Sequence, residues 1–317
     1  MNKLSVGLII PTKNAQATLG HILNILKNSP LEFSTLIIDS SSNDQTVSIA
    51  KDHKANVIVI PQADFNHGAT REYARRQLNT DIVVYLTQDA IPVSADLIAN
   101  LVKPLIEQDD IVVSYGRQIA QEGADIFEAF PRDYNYPDQS QVRSIKNIGQ
   151  YGVYTFFCSN SCAAYKNVAL DEIGGFKSVL SNEDYFAVAD LLQKGYKIAY
   201  VADAMVKHSH RYSLWQEFQR YFDTGYVRAK NPIIQQLVGQ AESRGVGFVA
   251  GLLKKVWRER PFLIPYALLQ SIMKWLGYRV GFYGSFLPIY LRKKLSQQAY
   301  YWDSKYAKEP ELNNMRS

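Results

Sequence analysis

The segment Asp81–Ala90 places a carboxylate directly after a run of apolar, largely β-branched residues. The run Ile82–Leu86 is typical of a strand that is buried on both faces. Open α/β sheets bind ligands at the carboxyl ends of their strands, so Asp89 lies where a metal or a phosphate-bearing substrate would be held. A strand followed by an ordinary polar turn is the alternative, and this segment alone leaves the two equally open.

A second carboxylate follows another apolar run. Asp39 and Ser40 come after the predicted strand Thr35–Ile38, where a carboxylate can accept a hydrogen bond from a ring N–H or a ribose hydroxyl. Capping of the next helix by Ser42 or Asn43 is the structural alternative, and the two interpretations are compatible.

The loop Asp64–Arg71 precedes a predicted helix. Gly68 permits close approach of the backbone, and a helix N-terminus with Arg71 nearby attracts phosphate. His67 taken alone is more typical of a surface or packing residue than of a ligand.

Adjacent acids open the predicted helix that begins near Asn182. Glu183 and Asp184 in a first turn are favoured by the helix dipole, which is a sufficient structural reason for them. One of them is also placed to act as a general base if an acceptor hydroxyl comes within hydrogen-bond reach.

The segment Met205–Arg211 contains two histidines. If the segment is extended, His208 and His210 lie on one face, and one of them can bind a metal that Asp89 also holds. Hydrogen bonds from both rings to the backbone or to phosphate are the alternative.

Strand and helix patterns alternate through the first half, which predicts a parallel sheet wrapped by helices. The carboxyl ends of its strands meet at one edge and gather Thr12, Asp39 and Asp89. The polar, proline-bearing stretch Pro131–Gln150 is predicted to be a loop. The predicted strands are Val6–Ile10, Thr35–Ile38, Asn56–Ile60, Ile82–Leu86, Ile111–Ser114 and Lys197–Val201, and the predicted helices lie near 18–27, 45–53, 70–78, 94–107 and 182–194.

The chain has 317 residues, 47% of them hydrophobic, which suffices for one large domain with an appendage. Residues 1–203 carry 17 Lys and Arg against 23 Asp and Glu, whereas residues 204–317 carry 18 against 7. The second part therefore favours an anionic partner. Two cysteines are too few for a cysteine-based metal site or a disulfide framework. The N-terminus lacks the pattern of a signal peptide.

Beyond about Trp215, aromatic and aliphatic segments alternate with Lys and Arg. The uncharged runs Phe262–Met273 and Val280–Leu291 each have 12 residues, which suits helices lying in a membrane interface better than helices that span it. A buried helical packing or dimerisation module is the alternative. Nucleic-acid binding is disfavoured because the bases and aromatics occur in apolar blocks.

Taken together in this order, the motifs resemble family 2 glycosyltransferases of the GT-A fold over about residues 4–230. FNHGATRE, TQDA and HSHRYS further resemble bacterial rhamnosyltransferases, including streptococcal enzymes that extend cell-wall rhamnose polysaccharide. The motifs that carry the resemblance are PTKN at 11–14, IIDSSSND at 37–44, FNHGATRE at 65–72, LTQDA at 86–90, NEDY at 182–185 and KHSH at 207–210.

The resemblance implies roles for individual residues. Asp89 stands where the family has the second acid of Asp-x-Asp, and it implies a Mg²⁺ or Mn²⁺ ligand, with His208 as an additional metal or diphosphate contact. The first acid of that motif is absent, because Thr87 and Gln88 precede Asp89, and Gln88 supplies no charge. Asp184 is the implied catalytic base and Glu183 its paired acid. The residues that the resemblance assigns to the nucleotide sugar are Pro11, Thr12, Asn14, Asp39, Ser40, Asn66, His67, Gly68, Arg71 and Gln88.

The resemblance further implies an inverting transfer of L-rhamnose from dTDP-β-L-rhamnose to a hydroxyl of a lipid-linked saccharide, forming an α-1,3 linkage in cell-wall polysaccharide synthesis. We expect a GT-A domain over 1–230 and a helical segment over 231–317 that associates with an anionic membrane surface or forms a homodimer. The expected location is cytoplasmic, on the inner face of the cell membrane. The alternatives are another donor such as UDP-GlcNAc or UDP-glucose, a sugar nucleotidyltransferase, or a membrane-bound scaffold with a degenerate site.

Overall fold

A computed structural model describes residues 4–238 and 242–307 of the chain. Nine strands of these residues form one sheet with the order β3-β2-β1-β4-β8-β6-β9-β5, and β7 pairs with β9 outside that path. The strands are β1 Val6–Thr12, β2 Ser34–Asp39, β3 Asn56–Val59, β4 Ile82–Leu86, β5 Ile91–Pro92, β6 Ile111–Ile119, β7 Gln141–Arg143, β8 Cys162–Lys166 and β9 Lys197–Lys207.

Helices cover both faces of the sheet and continue beyond it. They are α1 Leu19–Leu26, α2 Thr46–Asp52, α3 His67–Leu78, α4 Leu97–Glu107, α5 Ile126–Asn135, α6 Ile148–Tyr151, α7 Asn167–Glu172, α8 Glu183–Gln193, α9 Leu214–Lys230, α10 Ile233–Val238, α11 Glu242–Glu259, α12 Ile264–Phe282 and α13 Ile289–Leu295. Short 3-10 turns lie between several of them, and a further one, Ala299–Asp303, follows α13.

The alternation of strands and helices predicted the fold class correctly. Of the nine strands in the described residues, six run in one direction, while β5, β7 and β8 run against them. The apolar run Ile82–Leu86 forms β4, and each of its side chains is fully buried. Val83 and Tyr85 pack into one core and Val84 and Leu86 into the other, because successive strand residues point to opposite faces.

The predicted loop Pro131–Gln150 is wrong over most of its length. Helix α5 contains Pro131, and the strand β7 and helix α6 follow it. The Asp125 side chain caps α5 by accepting hydrogen bonds from the N–H groups of Phe127 and Glu128. Ile126 and Phe130 then pack against Leu252 of α11. Packing on a segment more than a hundred residues away therefore outweighs the polar, proline-bearing local sequence.

The C-terminal helices pack tightly on α9. Without a side chain at Gly277 and Gly281, the backbone of α12 approaches that of α9; a Cβ there would lie 2.2 Å and 2.0 Å from the carbonyl oxygens of Phe218 and Phe222. The uncharged run Phe262–Met273 lies in a 3-10 turn and the first part of α12, and the run Val280–Leu291 continues from the end of α12 into α13. Among the described residues, no helix is long and apolar enough to cross a membrane. The division at residue 230 stays a prediction.

Candidate active site

The carboxyl ends of β1 and β2 are joined through Asp39. In the parallel register Thr12 lies opposite Asp39, and the Thr12 hydroxyl donates to Asp39 Oδ1 at 2.9 Å. The Ser42 N–H donates to Asp39 Oδ2 at 2.7 Å, and the Ser42 hydroxyl donates to Oδ1 at 2.5 Å. Helix α2 begins only at Thr46, so the alternative that Ser42 or Asn43 caps it is wrong. The fully buried Asp39 carboxylate therefore fixes the loop that follows β2.

The loop after β1 is held from the neighbouring strand end. The Gln88 amide accepts from the Lys13 N–H at 2.7 Å and donates to the Lys13 carbonyl at 3.1 Å. Asn14 adopts a left-handed backbone with a φ of 51°, and its side chain accepts from the N–H of Asn43 at 2.9 Å. Gln88 thus orients the loop that follows Pro11. The predicted contacts of these residues with a substrate stay predictions.

Ser40 has an unused hydrogen-bonding group in this same region. Its side chain is buried, and its hydroxyl finds no partner among residues 4–238 and 242–307. Buried polar groups are nearly always hydrogen-bonded, so the Ser40 hydroxyl is an exception at this strand edge.

Helix α3 starts at His67, three residues before the predicted start at Thr70. The Asn66 side chain accepts from the N–H groups of Gly68 and Ala69, both at 3.0 Å, and donates to the carbonyl oxygen of Val179 at 2.9 Å. These two N–H groups at the helix N-terminus therefore already donate to Asn66 and are not free for a phosphate.

Gly68 is needed for close packing at this helix end, since a Cβ there would lie 2.0 Å from the carbonyl oxygen of Lys177. The sequence suggested that Gly68 permits a close approach, and the group that approaches it in the structure is the backbone of Lys177. Binding of phosphate by this loop stays a prediction.

Arg71 and Glu183 form a buried ion pair. An Arg71 guanidinium nitrogen lies 3.0 Å from Glu183 Oε1, and both side chains are almost fully buried. Burial by itself raises the pKa of Glu183, but the positive charges of Arg71 and His67 outweigh it and hold that pKa below its ordinary value. The Asn160 amide donates to the same oxygen of Glu183 at 3.1 Å. Glu183 is consequently an ionised acid whose Oε1 is held by Arg71 and Asn160.

Asp184 has a different environment from its neighbour Glu183. Its Oδ2 accepts from the Asn160 N–H at 3.0 Å and its Oδ1 from the Tyr185 N–H at 2.8 Å. Burial first, and the negative charge of Glu183 second, raise the pKa of Asp184 to about 7. A carboxylate with this pKa, half-buried at the start of α8, is matched to general-base catalysis near neutral pH.

Asp89, His208 and His210 form a cluster at the carboxyl ends of β4 and β9. Their ligand atoms all lie within 4.8 Å of one another. Asp89 Oδ1 lies 3.4 Å from His208 Nε2, and Asp89 Oδ2 lies 3.3 Å from His210 Nε2. Burial alone raises the pKa of Asp89, but the two histidines outweigh it and hold that pKa well below its usual range.

This donor set fits a divalent cation. Two imidazole nitrogens and one carboxylate suit Mn²⁺ better than Mg²⁺, which prefers oxygen ligands. Burial, and then His208, lower the pKa of His210 to about 4, so its ring is neutral at pH 7 as a metal ligand must be. The sequence predicted that one of the two histidines, His208 by resemblance, would share a metal with Asp89; the structure brings both histidines to Asp89.

Two contributors to the site were missed in the sequence. Asn160 lies in a polar turn before β8 and contacts both acids of the pair, but nothing in CSNSC distinguishes it from an ordinary turn residue. Gln118 contacts His208 from β6. The predicted strand ends at Ser114, whereas β6 continues to Ile119 and so includes Gln118. A strand four residues longer in the prediction would have brought Gln118 to the sheet edge.

The end of the described chain returns to this site. The Tyr300 hydroxyl lies 3.3 Å from His67 Nε2, and its ring packs at 5.9 Å from that of Phe65. Farther on, Lys305 Nζ lies 3.3 Å from Asp64 Oδ1. The C-terminal segment thus forms part of the wall beside α3, which charge patterning could not indicate.

A family model described as glycosyl transferase family 2 matches residues 8–174 of this chain. The chain therefore belongs to glycosyltransferase family 2 and is a glycosyltransferase, which confirms the family predicted from the motifs.

Two curated proteins are similar over nearly the whole chain. The O-antigen chain rhamnosyltransferase RfbN of Salmonella typhimurium is 39% identical over 306 residues, covering 95% of this chain and 97% of that protein. The O-antigen chain rhamnosyltransferase WbaN of Salmonella anatum is 38% identical over 306 residues, covering 95% and 96%.

Solved structures share the fold at low sequence identity. The mannosyltransferase PcManGT from Pyrobaculum calidifontis, in complex with GDP-Man and Mn²⁺, has a TM-score of 0.62 at 15% identity over 90% of this chain and 89% of its own. S. aureus TarS in complex with UDP has a TM-score of 0.53 at 15% identity over 89% and 91%. The GT-A architecture predicted from the sequence is confirmed.

Proposed function

We propose that the protein transfers L-rhamnose from dTDP-β-L-rhamnose to a hydroxyl of a lipid-linked saccharide during synthesis of a cell-surface polysaccharide. The observation that carries the chemistry is Asp184, a half-buried carboxylate whose pKa is raised to about 7 beside the ionised Glu183. The similarity to two O-antigen chain rhamnosyltransferases over nearly the full chain supports the choice of sugar and of pathway class. An α-1,3 linkage is the specific product that we propose.

In this reaction Asp184 accepts the proton of the acceptor hydroxyl as its oxygen attacks the anomeric carbon. The bond from that carbon to the diphosphate oxygen breaks, and the nucleoside diphosphate leaves with the bonding electrons. Attack from the face opposite the leaving group inverts the anomeric centre. Asn160 and the Tyr185 N–H hold the Asp184 carboxylate, so it needs little reorganisation to receive the proton.

Two groups of residues would bind the donor. Thr12, Asp39 and the unpaired hydroxyl of Ser40 line the proposed nucleotide side. Asp89 and His208, joined by His210, would hold Mn²⁺ or Mg²⁺, which when bound stabilises the negative charge of the departing diphosphate. Their separation along the sheet edge from β2 to β9 would orient the sugar between them, towards Asp184.

The acceptor side of the proposal rests on the C-terminal helices. Phe286, Phe262 and Trp257 are 84%, 73% and 70% exposed on or beside α11 to α13. Exposed bases such as Arg258 and Arg279 accompany them. Aromatic side chains interspersed with cations match the interface of an anionic leaflet. We therefore propose peripheral attachment to the inner face of the membrane, which would bring the site to a lipid-linked acceptor. A homodimer through the same face is the competing arrangement.

The donor is tested by transfer assays with dTDP-rhamnose, UDP-GlcNAc and UDP-glucose and a synthetic lipid-linked saccharide, with the product linkage read by NMR. We expect rhamnosyl transfer from dTDP-rhamnose with an inverted anomeric centre. Preferred turnover of a UDP sugar would contradict the proposed donor. Release of inorganic diphosphate from a nucleoside triphosphate would instead indicate a nucleotidyltransferase, and no turnover of any donor would indicate a scaffold.

Membrane attachment is tested by flotation with vesicles containing anionic lipid. Replacing both Trp257 and Phe286 with Ser should weaken the vesicle partition constant by roughly 10²-fold or more, because each of the two buried aromatic rings contributes about 1.5–3 kcal/mol. Val168→Ser, an exposed apolar residue of α7, is the matched control and should bind like the wild type. Unchanged binding of the double variant would contradict this attachment. A shift from dimer to monomer in light scattering would assign the face to a homodimer.

A further inference from the structure

Gln118 links the metal-binding cluster to a distant arginine. It lies on β6 and is almost fully buried. Its Oε1 lies 2.9 Å from His208 Nδ1 and accepts from an Arg132 guanidinium nitrogen at 2.7 Å. Its Nε2 donates to the Ser159 hydroxyl at 2.9 Å. Each hydrogen-bonding atom of the Gln118 amide is therefore engaged within the protein.

These contacts determine which nitrogen of His208 carries a proton. A guanidinium group can only donate, so the atom of Gln118 that faces Arg132 must be the amide oxygen. That oxygen can only accept, and it also faces His208 Nδ1. The hydrogen must then be on Nδ1, and in the neutral ring this leaves the lone pair of Nε2 towards Asp89 and His210. The opposite tautomer would direct an N–H into the space that the three ligand atoms share.

We propose that Gln118 and Arg132 are positioning residues that lock His208 in the Nδ1–H tautomer and so prepare Nε2 to bind a divalent cation. This inference rests on the proposed metal site, and it concerns how that site is prepared rather than which sugar is transferred. Partners of this kind hold the ring of a metal-bound histidine in place, and their loss typically weakens metal affinity by about 10- to 100-fold.

Arg132 belongs to a helix that depends on tertiary packing. Arg132 lies on α5, which packs against Leu252 and Val256 of α11. The orientation of Gln118, and through it the tautomer of His208, thus depends on a helix that the C-terminal segment supports.

The direct measurement is the ¹⁵N spectrum of histidine-labelled, metal-free protein at pH 7.5. We expect the His208 resonances to show a protonated Nδ1 and an unprotonated Nε2 in the wild type. In Gln118→Met the ring should become a mixture of tautomers, since the acceptor is gone. A protonated Nε2 in the wild type would overturn the proposal, and this result needs no variant to fold.

The second measurement is Mn²⁺ affinity without donor, followed by the loss of the free-ion EPR signal. Gln118→Met should weaken binding by roughly 10- to 100-fold, whereas Gln118→Glu keeps an acceptor and should bind at least as well as the wild type. Arg132→Met frees the amide to rotate and should give an intermediate loss. Gln121→Met, the same change at an exposed position two residues beyond β6, is the control.

Unchanged Mn²⁺ affinity in Gln118→Met, or no Mn²⁺ binding by the wild type, would overturn the inference. Sugar transfer by that same wild-type protein would then leave the proposed function standing. Rescue by glutamate but not by methionine is the result that a merely structural role for Gln118 would not produce.

Discussion

The two ends of the candidate site each contain a carboxylate, and the two carboxylates have different environments. At the ends of β1 and β2, Asp39 is buried and accepts hydrogen bonds from Thr12 and Ser42. Near β8, Asp184 is half-buried and borders a like charge, and its pKa is raised to about 7. The first carboxylate stabilises the fold at this strand edge, while the second is held in a state that costs stability and, in the proposed reaction, would make it the base.

The largest effect should come from Asp184→Asn. The amide cannot accept the acceptor proton, so we expect the rate of transfer to fall by roughly 10²- to 10⁴-fold. Donor binding, measured by calorimetry, should change little because the nucleotide side is untouched. Asp190→Asn on the same helix α8 is the control and should retain activity. Near-normal turnover by Asp184→Asn would contradict the proposed role of Asp184 as the general base, and with it the contrast with Asp39.

The pH dependence follows from the same residue. Only the ionised form of Asp184 is a base, and its pKa is raised to about 7 by burial and by Glu183. The turnover number should therefore rise with pH through about 7 and fall about tenfold per unit well below it. A profile that is flat between pH 5 and 8, with chemistry rate-limiting, would contradict this role.

Asp39→Asn should lower stability rather than chemistry. One carboxylate oxygen becomes an NH₂ group facing donors, so we expect a loss of roughly 1–3 kcal/mol in the free energy of unfolding. Denaturant titration measures it, with the exposed Asp203→Asn as control. Turnover at saturating donor should stay within a few-fold of the wild type. A stable variant with abolished turnover would instead make Asp39 part of the chemistry.

The smallest expected effect is on the pH dependence of stability at Asp184. The pKa of Asp184 rises from 3.8 to about 7 on folding, so the folded state binds the extra proton between these values. The stability from this group is complete below pH 4 and is lost as pH rises through 7. Asp184→Asn removes that loss but turns one carboxylate oxygen into an NH₂ group that faces a backbone N–H. Its melting temperature relative to that of the wild type should therefore be higher at pH 8 than at pH 5, by roughly 2 °C or more. An advantage that shrinks with rising pH would contradict the assigned pKa shift.

The local pattern of the sequence determined the frame of the site. The buried strand Ile82–Leu86 and the polar residues after it were correctly predicted, because strand periodicity and strand-end chemistry are local properties. The same logic placed Thr12 beside Asp39 and set Glu183 and Asp184 at the start of a helix. The family was likewise predicted correctly, because its motifs occur in the expected order along the sequence.

Only the tertiary structure decided how the members of each set differ. Glu183 and Asp184 are adjacent in sequence, yet Arg71 pairs with the first and Asn160 holds the second. Helix α5 forms around Pro131 because α11 covers its apolar face, and that helix carries the arginine that orients Gln118. A pKa, a tautomer or a supported helix depends on burial and on charges brought from distant segments, which no local pattern records.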